Sequence, residues 1–143
     1  MLIANPIRRS LPCCPMTTHF FNINKKAPYN TTRRLKVKFK SDSKFDFLLF
    51  NKSLLFVSKR HYVLNSRIFQ HSNEIPRMKF CENIPKPKIE LSVLESTLLM
   101  KQQLKQPFKM AGSEPNLRVY YTQTQSEGME DQYFNLVFVA PHT

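Results

Sequence analysis

Basic and apolar residues alternate without interruption from Arg34 to Lys40. In a β-strand, successive side chains point to opposite faces, so this order places the cations on one face and the apolar groups on the other. Side chains on one face of a strand recur about every 6.6–6.8 Å. Such a row of cations can follow successive phosphates of RNA, while an aromatic ring stacks on a base. The residues predicted to bind nucleic acid are Arg33, Arg34, Lys36, Lys38, Phe39 and Lys40.

The same alternation also has a purely structural interpretation. Lysines on an edge strand prevent the strand from pairing with other chains, which is a common protection against aggregation. Residues 25–40 also resemble a two-part nuclear-import patch, although basic runs match that pattern easily. The sequence leaves these alternatives open.

Residues that could perform catalysis are few and scattered. The spacing of Cys13, Cys14 and Cys81 does not match that of a zinc site, even when His19 is counted. His61, His71 and His142 have no neighbouring acid or serine in an arrangement typical of a catalytic triad. The sequence therefore predicts that the protein is not an enzyme, with no catalytic residue, no cofactor and no metal site.

Charge and glycine content both change at Met110. Residues 1–109 contain no glycine and hold 21 Lys and Arg against 6 Asp and Glu, whereas residues 110–143 hold both glycines and one basic residue against four acidic ones. This change predicts three parts. Residues 1–44 form a basic disordered tail, residues 45–109 are partly ordered with one helix, and residues 110–143 begin a separate, truncated domain that contains β-strands.

The first 41 residues contain no acidic residue. Basic, hydroxyl-rich and acid-free composition is typical of a mitochondrial transit peptide, but Pro6, Pro12 and Pro15 would interrupt its amphipathic helix. An odd number of cysteines without a secretory signal indicates a reducing, intracellular compartment, either the nucleus or the mitochondrion.

Hydrophobic patterning predicts the remaining elements. The apolar stretch from Phe45 to Val57 is too short and too charged to cross a membrane, which leaves two strands or one peripheral membrane contact. Two strands joined near residues 51–53 are the favoured prediction. Prolines bound a predicted helix over residues 88–106, where Leu91, Leu94 and Leu98 share a face that could bind a protein partner. Residues 117–124 and 133–139 predict a C-terminal β-hairpin.

These observations predict a weakly ordered α+β fold with a disordered basic N-terminus, short strands, one helix near 88–106 and a C-terminal β-hairpin. The function they favour is salt-sensitive RNA binding by a small basic protein through residues 25–40. Three alternatives stay open. The chain could be a protein-interaction module that uses the helix at 88–106, a mitochondrial precursor, or an extended or fragmentary gene product whose function resides after Met110.

Overall fold

The computed structural model describes residues 10–27, 32–40, 44–81, 85–109, 114–124 and 133–141. Within these ranges the protein is a mixed α+β fold with three α-helices and two sheets of short strands. The elements in chain order are β1 (Leu11–Pro12), α1 (Pro15–Lys26), β2 (Thr32–Lys40), α2 (Phe47–Arg60), a 3-10 helix (Tyr62–Asn65), β3 (Ser66–Phe69), β4 (Arg77–Phe80), β5 (Ile89–Leu91), α3 (Ser96–Leu104), β6 (Arg118–Thr124) and β7 (Tyr133–Pro141).

The larger sheet has four strands in the order β2-β7-β6-β5. Strands β6 and β7 pair antiparallel, which confirms the predicted C-terminal hairpin, while β5 pairs parallel to β6. Strand β2 pairs antiparallel with β7 over nine residues, from Thr32 opposite Pro141 to Lys40 opposite Tyr133. Met110 and residues 125–132, between the two strands of the hairpin, lie outside the described residues, and the division into three parts stays a prediction. Strands from both sides of the composition boundary nevertheless share one sheet.

A helix covers each face of this sheet because the strands are apolar on both sides. On one face, Leu99 of α3 and Phe108 pack against Val137 and Val139, which are fully buried. On the other face, Tyr121, Phe134 and Leu136 contact phenylalanines at the start of α2. The alternating side chains of β7 thus contribute to two separate apolar clusters.

The stretch predicted to form two strands near residue 51 is the helix α2. That prediction was wrong because Asn51 and Lys52, which divide the apolar residues into two runs in the sequence, lie within one continuous helix. Phe47, Phe50 and Leu54 recur at helical spacing and face the protein interior. The carboxylate of Asp46 caps the helix by accepting a hydrogen bond from the backbone N–H of Leu49 at 2.9 Å.

Helix α3 is shorter than the helix predicted over residues 88–106. It begins at Ser96 and ends at Leu104, while residues 89–91 form β5 instead. The backbone N–H of Ser92 donates to the carbonyl of Tyr121 at 2.9 Å and extends the contact between β5 and β6. Pairing with a neighbouring strand therefore overrides the local helical pattern.

The smaller sheet has the strand order β1-β4-β3. Helix α1 covers one face, where Phe21 packs against Ile68 and contacts Cys13 and Met78. The helix and β2 both lie within the part of the chain that the charge pattern predicts to be a disordered tail. The side-chain amide of Asn24 on α1 also donates to the carbonyl of Phe108 at 3.1 Å. This hydrogen bond joins α1 to the apolar cluster that packs on the larger sheet, because Phe108 belongs to that cluster.

Candidate functional site

The residues predicted to bind RNA lie on β2, which is an edge strand of the larger sheet. Phe39 faces the α2 side and stacks on Phe134, with ring centroids 5.1 Å apart. Lys38 faces the α3 side and places its ammonium 4.2 Å from the centre of the Tyr133 ring. Arg33, Lys36 and Lys40 are exposed along the same strand. The alternation in the sequence therefore corresponds to a strand with two distinct faces.

Two of these side chains make contacts that hold the fold together. The guanidinium of Arg34 donates to the carbonyl of Met100 at the 2.6 Å distance of a strong hydrogen bond, and so ties the strand to α3. The ring of Phe39 is engaged by Phe134, which is itself buried. These two contacts give Arg34 and Phe39 structural roles.

The leucines predicted to form one partner-binding face do not share a helix. Leu91 lies on β5 and is exposed, whereas Leu94 precedes α3 and packs against the Leu99 cluster. Leu98 lies on α3 with an exposed side chain. A helical interpretation of their spacing was wrong because β5 occupies the beginning of the predicted helix.

A buried arginine connects the smaller sheet to the segment that leads into β6. Arg67 of β3 is 2% exposed, and its guanidinium donates to the side-chain oxygen of Asn116 at 2.9 Å and to the carbonyl of Glu114. The amide of Asn116 in turn donates to the carbonyls of Val63 and Ser66 at 3.0 and 2.9 Å. Burial lowers the pKa of Arg67, while Cys81 and the Glu114 carboxylate act in the opposite direction.

A second arginine, Arg118 on β6, joins the larger sheet to the segment that follows α3. Arg118 forms an ion pair with Glu114 at 2.8 Å and donates to the carbonyl of Gln106 at 2.6 Å. Its guanidinium also lies 4.1 Å from the centre of the Phe108 ring. Glu114 therefore contacts Arg67 through its backbone carbonyl and Arg118 through its carboxylate, and it couples the two arginines.

A cavity of about 350 Å³ opens on the face of the smaller sheet opposite α1. Its lining residues are Ser10, Phe69, His71, Arg77 and Lys79. The sequence pattern did not predict this group of residues. The sequence did contain one signal, because Arg77 and Lys79 are two residues apart in a short strand. A strand presents residues at this spacing on the same face.

Helix α2 carries an apolar stripe on the side that faces away from the sheet. We call this the α2 stripe; it consists of Leu48, Leu49, Leu55 and Phe56, which are 67%, 61%, 38% and 65% exposed. Residues seven positions apart lie on the same side of a helix, so the four side chains form one surface. A contiguous exposed apolar surface of this kind is typical of an interface.

The described residues place no three His, Cys, Asp or Glu side chains together as a metal-binding group. The helices within those residues include none that is long and apolar enough to span a membrane.

Comparison with solved structures identifies the fold. The chain is similar to the tallysomycin biosynthesis protein TlmII, with a TM-score of 0.70 and 12% identity over 93% of this chain and 31% of that one. It is also similar to the epimerization domain from the third module of tyrocidine synthetase B, with a TM-score of 0.67 and 14% identity over 94% of this chain and 30% of that one. A third similar structure is the starter condensation domain of the rhizomide synthetase RzmA in complex with C8-CoA, with a TM-score of 0.64 and 9% identity over 90% of this chain and 30% of that one.

The chain adopts the fold of part of a condensation domain. It spans about a third of the length of these three structures. No protein-family model and no curated protein matches the chain.

This fold corrects the predicted function. The prediction of a non-enzymatic RNA-binding protein was wrong because the chain superposes on structures described as nonribosomal peptide synthetases and as an epimerization domain of tyrocidine synthetase B. The interpretation of its basic N-terminal part as a transit peptide is contradicted by the same comparison, since that part contributes α1 and β2 to the superposed fold. The basic composition that suggested both interpretations is compatible with a folded lobe whose cations lie on an edge strand.

Proposed function

We propose that the protein is one lobe of a condensation-type enzyme, which transfers an acyl group from a thioester to a nucleophile of a second substrate and releases the thiol, to which the nucleophile's proton passes. The observation that supports this proposal is the superposition of 93% of the chain on TlmII with a TM-score of 0.70. The same fold recurs in structures described as condensation and epimerization domains. The identity of 9–14% gives the fold, and the activity is our proposal.

The lobe acts together with the remaining part of a condensation-type fold. The chain spans about a third of the structures that it matches, so the larger share of such a fold lies outside the region of similarity. The α2 stripe supplies an apolar surface for contact with that part, and Leu91 and Leu98 supply further exposed apolar side chains. Burying such side chains stabilises an interface by about 25 cal/mol per Å² of apolar surface.

Binding of an acyl thioester tests the proposal. The RzmA domain is in complex with C8-CoA, so octanoyl-CoA is a suitable probe for the full chain in isothermal titration calorimetry. A protein of net charge +12 attracts any polyphosphate, and unacylated CoA therefore measures the contribution of charge alone. Acetyl-CoA is the second control, because it has the thioester with six fewer methylene groups.

We expect octanoyl-CoA to bind at least about tenfold more tightly than CoA, since each buried methylene contributes about 0.8 kcal/mol. Acetyl-CoA should have an affinity close to that of CoA. Equal affinities for all three compounds would reject the proposal, because charge alone would then explain the binding. An absence of saturable binding by octanoyl-CoA would reject it as well.

A further inference from the structure

We propose that the cavity of the smaller sheet binds a small phosphate monoester that carries an apolar or aromatic group. The lining residues come from β3, the loop between β3 and β4, β4 itself and the segment before β1. A volume of about 350 Å³ is much larger than inorganic phosphate requires and is comparable to the pockets that hold small organic ligands. The inference does not depend on the proposed acyl transfer.

The strand register explains why the cations converge. Phe69 of β3 lies directly opposite Arg77 of β4, and Lys79 follows two residues later on the same face of β4. Cations on one face of a strand at this spacing are about 6.6–6.8 Å apart along the backbone. Ile68 and Met78 point to the other face and pack against α1, which fixes the register of the two strands. The arrangement therefore directs two cations and one aromatic ring to the same side.

Arg77 is held in position from the segment before β1. Its Nε–H donates to the hydroxyl oxygen of Ser10 at 2.9 Å, and its Nη2 donates to the carbonyl of Ser10 at 2.6 Å. A guanidinium has five N–H donors in a fixed planar arrangement, so three donors lie outside these two bonds. A phosphate oxygen pair matches this planar group, because two parallel hydrogen bonds can form at once.

The charge of the lining residues favours an anion. None of the five residues is acidic, while Arg77 and Lys79 are cationic and His71 offers an imidazole N–H. Glu74, in the loop between β3 and β4, is exposed and is not among the lining residues. The aromatic ring of Phe69 adds an apolar wall, which inorganic phosphate would leave uncovered. Two cations beside an aromatic ring favour the binding of a phosphate monoester that carries an organic group.

Titration of the full chain with phenyl phosphate tests the proposal, with binding followed by calorimetry and by amide chemical shifts. The charge-removing variants are Arg77→Gln and Lys79→Gln. The matched control is Lys36→Gln, which removes the same charge from an exposed lysine on β2, away from the cavity. Phe69→Leu tests the aromatic wall. A far-ultraviolet circular dichroism spectrum verifies that each variant has folded.

We expect Arg77→Gln to weaken phenyl phosphate binding by about tenfold or more, as for the loss of a charge-assisted hydrogen bond. Lys79→Gln, which leaves the Ser10 contacts in place, should weaken binding by about threefold to tenfold by the same reasoning. Phe69→Leu should remove the preference for phenyl phosphate over inorganic phosphate. Equal losses in the Lys36→Gln control would overturn the proposal, as would unchanged binding in Lys79→Gln or a lack of saturation in the unmodified chain.

Discussion

At the scale of single residues, Arg67 shows how a buried cation is accommodated next to mainly neutral acceptors. Its guanidinium reaches the Asn116 side chain and the carbonyls of Ser66 and Glu114. Burying a charge is unfavourable unless hydrogen bonds replace those of water. Burial lowers the pKa of Arg67, yet an arginine stays protonated at all ordinary pH values. The hydrogen bonds from Arg67 to the segment before β6 are therefore charge-assisted at any pH at which the protein is handled.

The variant Arg67→Lys keeps this charge but loses the planar arrangement of donors. A lysine ammonium cannot reproduce the fork of the guanidinium, so at least one buried acceptor loses its partner. We expect the free energy of unfolding to fall by about 2 kcal/mol, within the range for hydrogen bonds to charged groups. Urea unfolding followed by circular dichroism measures it. Arg60→Lys at an exposed position should change stability by less than about 0.5 kcal/mol, and an equal effect in both variants would contradict the role of Arg67.

Ionisation of Tyr120, on β6 of the larger sheet, makes the stability of the folded protein depend on pH. Burial raises the pKa of its hydroxyl, the Glu90 carboxylate raises it further, and Arg118 and a hydrogen bond with Gln103 oppose the shift. Because the folded pKa exceeds the unfolded value, the unfolded chain releases this proton first as pH rises. The contribution of Tyr120 to stability is thus complete below the ordinary tyrosine pKa of about 10 and is lost as pH rises through the higher folded pKa.

We expect Tyr120→Phe to reduce the loss of stability between about pH 9 and pH 11, because phenylalanine does not ionise. Urea midpoints measured across this interval, each compared with the midpoint of the same protein at neutral pH, separate this effect from the loss of the hydroxyl. All other groups are the same in the two proteins and cancel in the comparison. Identical pH profiles for the two proteins would show that Tyr120 does not contribute.

At the scale of secondary-structure elements, the sequence predicted those strands whose pattern agrees with their surroundings. β6 and β7 are rich in aromatic and β-branched residues and were predicted almost to their ends. Helix α2 was not predicted, because apolar residues occur on its exposed side as well as on its buried side. The four exposed apolar side chains of the α2 stripe make the helical periodicity of the buried face difficult to recognise in the sequence. The start of the predicted 88–106 helix became a strand through pairing with β6, which local sequence does not encode. The cavity was missed because its residues come from separated segments.

The exposure of the α2 stripe predicts that charged residues there reduce the exposed apolar surface without lowering the free energy of unfolding. In the double variant Leu49→Lys/Phe56→Lys, two exposed apolar side chains become charged. We expect less binding of the dye ANS, which reports exposed apolar surface, and a free energy of unfolding within about 0.5 kcal/mol of the original. The matched control is Leu54→Lys on the buried side of the same helix, which should prevent stable folding. A double variant as unstable as the control would show that the stripe is packed in the folded protein.

At the scale of the whole molecule, the larger sheet is assembled from distant parts of the sequence. Strand β7 pairs with β2, about a hundred residues earlier in the chain. Its buried side chains contact α3 on one face, while Phe45 contacts Tyr121 and Phe134 on the other at centroid distances of 5.1 and 5.2 Å. The change of composition at Met110 is therefore not accompanied by a separate core for β6 and β7.

A chain of residues 110–143 should accordingly not fold by itself. It would retain β6 and β7 but lose β2, α2, α3 and Phe108, and a two-stranded hairpin is marginally stable at best in water. We expect narrow amide proton dispersion for this fragment and wide dispersion for the same residues in the full chain. A chain of residues 32–143, which keeps every element of the larger sheet and both covering helices, should preserve the slow amide exchange of Val137 and Val139. Slow exchange at these two valines in the 110–143 fragment would mean that the hairpin is independently stable and that its contacts with β2 and α3 are not required for its fold.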